Sequence, residues 1–168
     1  MRPYIIGQPG KVQAHTVNSR LNNKRVSYSL SSTLESVNTA EQKAFEIAGK
    51  AGFSEDEQYH ISMAVREAAV NAVLHGNAYD PGKTFMVAYE TTMDSLIITI
   101  TDQGSGLDPG IIPDPLAPDN LMKQTGRGIF LIRSFMDEVK IRNMEPGAEI
   151  TLIKYTGRKA ANAREEAK

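Results

Sequence analysis

A carboxylate, an amide and an imidazole recur at intervals of four residues within an otherwise small and apolar stretch of the sequence. They are Glu67, Asn71 and His75 in EAAVNAVLHGNAYD, residues 67–80. Four residues of α-helix advance the face by only about 40°, so the three side chains are predicted to share one narrow stripe. A buried amide without a partner costs roughly 1–3 kcal/mol, so Asn71 should bond a partner or line a cavity. A core helix whose polar groups bond neighbouring backbone is the alternative, and Gly76 is predicted to end the helix either way.

Asp102 ends the β-branched run LIITITD and is followed by the glycines of DQGSG. A carboxylate here can accept a hydrogen bond from an exocyclic amine, while Gly104 and Gly106 let the backbone approach a flat ring. An ordinary glycine-rich turn, with Asp102 bonded to its own backbone, is the alternative. Rossmann and P-loop sites are excluded because the required glycine spacing and a GxxxxGK[ST] sequence are absent. An EF-hand loop is excluded because its other acidic residues are missing.

A third segment, Gly126-Arg127-Gly128, precedes the apolar run IFLIRSF and is predicted to open a helix. Free backbone N–H groups at the positive end of a helix dipole suit phosphate oxygens. Arg127 could add a charge-assisted contact to a terminal phosphate. A plain flexible entry to the helix is the alternative.

Residue periodicity predicts the elements that must position these groups. Alternation predicts a strand over residues 26–31, and near-helical spacing predicts a helix over residues 34–51. Ser54 and Glu57 have the spacing of a capping box, which opens the helix that carries Glu67. Further strands are predicted over residues 84–92, 95–101, 138–143 and 148–155, with a proline-rich lid over residues 107–124.

This order of elements predicts an α+β fold, a two-layer sandwich in which helices cover one face of a mixed, mostly antiparallel sheet. Residues 1–25 are basic and aperiodic and are predicted to form a mobile extension. Residues 26–156 are predicted to form the single domain, and residues 157–168 a charged tail.

The composition excludes several classes of protein. The net charge of −1 provides no basic field for nucleic acid, and the absence of cysteine excludes disulfides and thiolate metal sites. No apolar run reaches the roughly 18–20 residues of a membrane span. We therefore expect a cytoplasmic protein that contacts neither membrane nor nucleic acid directly.

Taken together and in this order, E-x-x-x-N, D-x-G-x-G and G-x-G resemble the N, G1 and G2 boxes of the Bergerat ATP-binding fold of the GHKL superfamily. The segments that carry the resemblance are EAAVNAVLHGN, TDQGSGLDP and TGRGIFLIRSFMDEV. Within the superfamily, the chain looks most like the anti-sigma factor serine/threonine kinases. The resemblance covers roughly residues 28–155.

The resemblance implies ATP and Mg²⁺ as cofactors and a role for each matching residue. Glu67 looks like the general base, Asn71 like the magnesium ligand and Asp102 like the adenine-reading carboxylate. The remaining nucleotide-binding positions are Gly104 and Gly106 beside the base, Thr125, Gly126, Arg127 and Gly128 in the phosphate loop, and Thr151, which would help Asp102 through a water.

By the same resemblance, the expected function is an anti-sigma factor that phosphorylates an anti-anti-sigma protein of the STAS type and sequesters a sigma factor. One alternative is a non-catalytic, ATP-dependent binding module. Another is a detached histidine-kinase catalytic domain, which is disfavoured because no dimerisation helices precede the motifs. A homodimer is compatible with the resemblance, but no self-complementary interface can be read from one chain.

Overall fold

Strands and helices follow the predicted alternation in the computed structural model, which describes residues 13–18, 23–106 and 124–157. The strands are β1 (Gln13–Asn18), β2 (Lys24–Ser31), β3 (Thr84–Thr91), β4 (Ser95–Thr101), β5 (Glu138–Asn143) and β6 (Ala148–Tyr155). The α-helices are α1 (Leu34–Lys50), α2 (Glu55–Asn71) and α3 (Gln124–Phe135), and a π-helical segment, Ala72–Gly76, directly continues α2. The predicted α+β fold is confirmed.

The strands form one sheet in the order β1-β2-β3-β4-β6-β5. Every neighbouring pair within the described ranges is antiparallel, so the predicted parallel component of the sheet is absent from that part of the chain. Connectivity accounts for two of these pairs: β3–β4 and β5–β6 are hairpins, and tight turns join antiparallel strands.

The three helices pack against one face of this sheet, α1 on β3, α2 on β4 and α3 on β5. Register aligns the core across the strands, with Tyr89 opposite Ile98 and Ile98 opposite Leu152, and all three side chains are fully buried. The Tyr89 hydroxyl donates a hydrogen bond of 2.7 Å to the Ala40 carbonyl, which ties β3 to α1. Burial raises the pKa of Tyr89 well above its ordinary value, so the hydroxyl keeps its proton and remains a donor.

The predicted capping box at the start of α2 is confirmed. The Glu57 carboxylate accepts from the Ser54 N–H at 2.9 Å, and the Ser54 hydroxyl oxygen accepts from the Glu57 N–H at 3.4 Å. Farther along α2, Arg66 pairs with Glu41 of α1 at 2.6 Å. The capping box fixes the start of the helix that carries Glu67 and Asn71, and the ion pair ties its later part to α1.

The end of this helix differs from the prediction, because residues 72–76 widen into a π turn. The Asn77 N–H donates to the Ala72 carbonyl, five residues back, at 2.7 Å. His75 lies within this π turn and is exposed, whereas Asn71 before it is partly buried. Ala78 and Tyr79 follow with φ of 52° and 58°, so two non-glycine residues in the left-handed region reverse the chain.

The beginning of the chain also differs from the prediction. Gln13–Asn18 lies within the predicted mobile extension, yet it pairs antiparallel with β2, and β2 itself begins at Lys24. Backbone hydrogen bonds to β2 hold Gln13–Asn18 at the edge of the sheet. This pairing does not require an alternating pattern of side chains. The predicted tail, apart from Gly157, and residues 107–123 of the predicted lid lie outside the described residues. None of the helices in the described ranges is long and apolar enough to cross a membrane.

Candidate functional site

Asp102 lies immediately after β4 and is only 9% exposed. Its Oδ1 accepts hydrogen bonds from the Gly104 N–H at 2.8 Å and from the Ala148 N–H at 3.2 Å. Its Oδ2 accepts none from the described residues, and it lies beside Gly76. Two backbone donors thus fix the carboxylate and leave one oxygen for an external donor, which suits an exocyclic amine.

Three glycines surround this carboxylate at distances that exclude any side chain. An added Cβ would lie 2.4 Å from the Asp102 Cγ at Gly76, 2.1 Å from the Gly76 carbonyl oxygen at Gly104, and 2.0 Å from the Asp102 carbonyl oxygen at Gly147. The sequence pattern indicated a role for Gly104, indicated Gly76 only as a helix end and indicated no role for Gly147. Nothing in the sequence distinguishes these two from ordinary turn glycines, because their role arises from contacts between distant segments.

Gly106 completes the loop after β4 and has φ of 85°. An added Cβ there would lie 3.1 Å from the Asn143 Oδ1 and 3.2 Å from the Gly147 carbonyl oxygen. The loop therefore runs close to the β5–β6 hairpin. Such close packing suits a narrow site for a flat ligand.

Glu67 and Asn71 lie one turn apart on α2, both partly buried, and face the first turns of α3. A Cβ on Gly128 would lie 3.0 Å from the Glu67 Oε2 and 3.7 Å from the Asn71 Nδ2. The predicted common face of Glu67 and Asn71 is therefore present. The absence of a side chain at Gly128 is what lets α3 approach the carboxylate this closely.

The start of α3 differs from the prediction because the helix begins at Gln124 rather than after Gly126. Thr125 and Gly126 lie in the first turn, where N–H groups are not bonded within the helix, whereas Gly128 lies beyond it. Gly128 therefore contributes space and not a free donor. Arg127 is exposed.

Thr151 is not brought to the other candidate residues. It lies on β6 opposite Thr99, between Ile150 and Leu152, which pack in the core beneath the helices. Successive side chains of a strand point to opposite faces, so Thr151 lies on the face away from the helices and from Asp102. The neighbour of Asp102 on β6 is instead the backbone N–H of Ala148.

The remaining groups lie along α2 and the π turn that continues it. Glu67 and Asn71 face α3, and Gly76 lies five residues beyond Asn71 against Asp102. An acceptor for an amine at one end and a helix N-terminus at the other suit a ligand with a base and phosphates. Glu67 lies beside that helix and can accept a proton from an attacking hydroxyl.

The chain matches the sequence profile described as "Histidine kinase-like ATPase domain" over residues 30–154. The serine-protein kinase RsbW of Halalkalibacterium halodurans is 32% identical over 118 residues, which cover 67% of this chain and 71% of that protein. The serine-protein kinase RsbW of Staphylococcus epidermidis is 35% identical over 118 residues, covering 65% and 72% respectively.

The fold is also similar to the crystal structure of the RsbU and RsbW domains of a Mycobacterium tuberculosis protein, with a TM-score of 0.53 and 19% identity. The similar region covers 77% of this chain and 32% of that longer chain. At this identity the likeness concerns the fold alone.

Proposed function

We propose, because the chain belongs to the histidine kinase-like ATPase domain family, that it is an ATP-dependent protein-serine/threonine kinase and an anti-sigma factor. Its substrate in this proposal is a STAS-type anti-anti-sigma protein, the antagonist. The unphosphorylated antagonist competes with a sigma factor for binding to this chain. Relatives named serine-protein kinase support the reaction class. The observation that carries the proposal is the Glu67 carboxylate, held beside Gly128 and one turn from Asn71.

ATP binds, in this proposal, with its base at the loop after β4 and its phosphates at the first turn of α3. The Asp102 Oδ2, which accepts no hydrogen bond from the described residues, accepts from the adenine amine. The N–H groups around Gly126, which are not bonded within the helix, donate to phosphate oxygens. The three glycines around Asp102 support this orientation because they leave room for a flat ring next to the backbone. Arg127, exposed at the same helix end, contributes positive charge to the phosphates.

Mg²⁺ fits a site of this composition. No group of three or more acidic or histidine side chains that could hold a metal occurs in the described ranges. Magnesium typically binds through one or two protein oxygens together with substrate phosphates and waters, so the Asn71 amide oxygen is a sufficient protein ligand. When bound, the ion would neutralise charge on the phosphates during transfer.

Glu67 performs the proton transfer in the proposed reaction. A serine or threonine hydroxyl of the antagonist donates its proton to the Glu67 carboxylate as its oxygen bonds to the γ-phosphorus of ATP. The bond between the γ-phosphorus and the bridging oxygen breaks, and ADP leaves with that electron pair. The first turn of α3 holds the phosphates in line for this displacement.

The further parts of the proposal concern surroundings and assembly. A cytoplasmic location agrees with the lack of cysteine, and the net charge of −1 argues against direct nucleic-acid binding. We include a homodimer in the proposal, which light scattering of the full chain tests independently of activity.

Phosphoryl transfer is tested by incubating the full chain with Mg-ATP and candidate STAS-type proteins encoded by the same genome. Mass spectrometry should find a gain of one phosphate on a serine or threonine of one candidate. Phosphate on a histidine would instead support the detached histidine-kinase alternative. Tight ATP and partner binding without any transferred phosphate would support the non-catalytic module.

A further inference from the structure

Asn77 is fully buried at the end of the π turn and bonds two distant segments. Its Nδ2 donates to the Thr84 carbonyl at 3.0 Å, and its Oδ1 accepts from the Gln103 N–H at 2.8 Å. The first partner begins β3 and the second lies in the loop after β4. One amide side chain therefore joins the end of the π turn to the start of β3 and to the loop after β4.

Gln103 closes the arrangement into a ring. Its Oε1 accepts from the Thr84 N–H at 2.9 Å, so Thr84 uses its N–H for Gln103 and its carbonyl for Asn77. Each of the three residues thus bonds both of the others. We refer to Asn77, Thr84 and Gln103 as the amide ring.

The amide ring is adjacent in sequence to the groups that would read the base. Gln103 separates Asp102 from Gly104, and Asn77 follows Gly76, whose carbonyl oxygen would lie 2.1 Å from a Cβ at Gly104. Residues 76–77 and 102–104 are therefore in direct backbone contact. The Asn77 to Gln103 bond is the side-chain link that holds this contact.

The π turn determines where Asn77 points. Its N–H bonds the Ala72 carbonyl rather than that of Val73, as α-helical continuation would require, and the Val73 carbonyl instead accepts from the Tyr79 N–H. The local winding thus directs the amide toward the hairpin. Short π segments are frequent at functional sites, and this one sets the position of a buried polar group.

We propose that Asn77 is a positioning residue for base recognition, acting through Gln103 to hold Asp102 where it distinguishes a 6-amino purine from a 6-oxo purine. This inference rests on the proposed function, because it assumes that Asp102 accepts from the base. Loss of the Asn77 amide leaves the Gln103 N–H without its partner, and the loop can then shift relative to Gly76. Asp102 moves with it and accommodates either purine.

The test compares the dissociation constants of ATP and of inosine triphosphate by calorimetry, using the full chain well below its melting temperature. The two nucleotides carry the same charge and differ at position 6, so their ratio is insensitive to the fraction of folded protein. Wild type should prefer ATP by about tenfold or more, as expected when one acceptor faces an amine instead of a carbonyl. Asn77→Ala should reduce this ratio by roughly three- to tenfold.

The matched control is Gln58→Ala, which also removes a side-chain hydrogen bond to backbone, that of Nε2 to the Phe53 carbonyl at 2.7 Å. Gln58 lies about 20 Å before Asn71 along α2 at 1.5 Å per residue. Its ratio should equal that of wild type. An equal fall in Gln58→Ala and Asn77→Ala would overturn the inference.

Gln103 provides a second pair of variants that does not depend on a buried substitution, because its side chain is exposed. Gln103→Ala removes the acceptor for Thr84 and should lower the ratio, whereas Gln103→Glu retains an acceptor and should restore it. If Asn77→Ala fails to fold, this pair tests the amide ring through its third bond, from the Thr84 N–H to the Gln103 Oε1. If wild type prefers ATP but the ratio is unchanged in Gln103→Ala, or in a folded Asn77→Ala, the inference is overturned. The proposed contact between Asp102 and the base would still stand. A wild type that binds both nucleotides equally overturns the inference and the proposed base contact together.

Discussion

Glu67→Gln is expected to abolish phosphoryl transfer while ATP binds at least as tightly as to wild type. The amide keeps the size of the side chain beside Gly128, but it cannot take the proton of the attacking hydroxyl. Loss of a general base typically lowers the rate by about 10²–10⁴-fold. Removal of one negative charge near the proposed phosphate position should not weaken nucleotide binding. Single-turnover transfer of labelled phosphate, together with calorimetry for ATP, measures both quantities.

Glu55→Gln is the matched control for this variant because it makes the same chemical change on the same helix. Glu55 is exposed in the first turn of α2, far from Gly128, and its variant should transfer phosphate at the wild-type rate. A Glu67→Gln protein that transfers phosphate as fast as Glu55→Gln would rule out Glu67 as the base. A protein that loses ATP binding and transfer together would indicate a binding role instead.

Gly147→Ala is expected to lose both folding stability and ATP affinity. The new Cβ would lie 2.0 Å from the Asp102 carbonyl oxygen and 2.9 Å from its Oδ1, and the backbone φ of 95° disfavours any side chain. The hairpin and the loop after β4 must therefore separate, which disturbs the Ala148 N–H bond that orients Asp102. Urea unfolding and an ATP titration on the folded fraction measure the two losses.

Gly52→Ala separates the backbone cost from the contact. Gly52 has a nearly equal φ of 90°, but an added Cβ there meets nothing within 4 Å. The free energy of unfolding of this variant should fall only by the cost of the backbone conformation, about 1–2 kcal/mol, and its ATP affinity should be unchanged. The free energy of unfolding of Gly147→Ala should fall by about 2 kcal/mol more than that, because overpacking typically costs this much. This variant should also lose most of its ATP binding. Equal losses of stability and of ATP affinity in the two variants would contradict the close packing of Gly147 against Asp102.

Local sequence rules predicted those parts of the fold that depend on short-range contacts. The capping box of Ser54 and Glu57 requires only a three-residue offset, and the α+β order follows from periodicity within each segment. The common face of Glu67 and Asn71 follows likewise from one turn of helix. Both lie within regular α2, where the assumption of 3.6 residues per turn holds.

The features that sequence did not predict depend on contacts between distant segments. The π turn, which contains the exposed His75, lies where the chain after α2 bonds the hairpin through Asn77. Thr151 was misplaced because the register of β6 with β4 decides which residue of β6 lies beside Asp102, and that residue is Ala148. Gly147 resembles any turn glycine until β6 is paired beside Asp102. In each case tertiary packing decided between locally equivalent arrangements.

Calorimetric titration of ATP, with and without Mg²⁺, into wild type, Asp102→Asn and Asn71→Ala tests the nucleotide site most directly. Wild type should bind tightly only with Mg²⁺, and Asn71→Ala should lose that dependence because the amide oxygen is the proposed protein ligand. Asp102→Asn should bind at least about tenfold more weakly, since an amide donor would face the adenine amine in place of the Oδ2 acceptor. Wild-type protein that binds no nucleotide, or an Asp102→Asn variant that binds ATP as wild type does, would contradict the account.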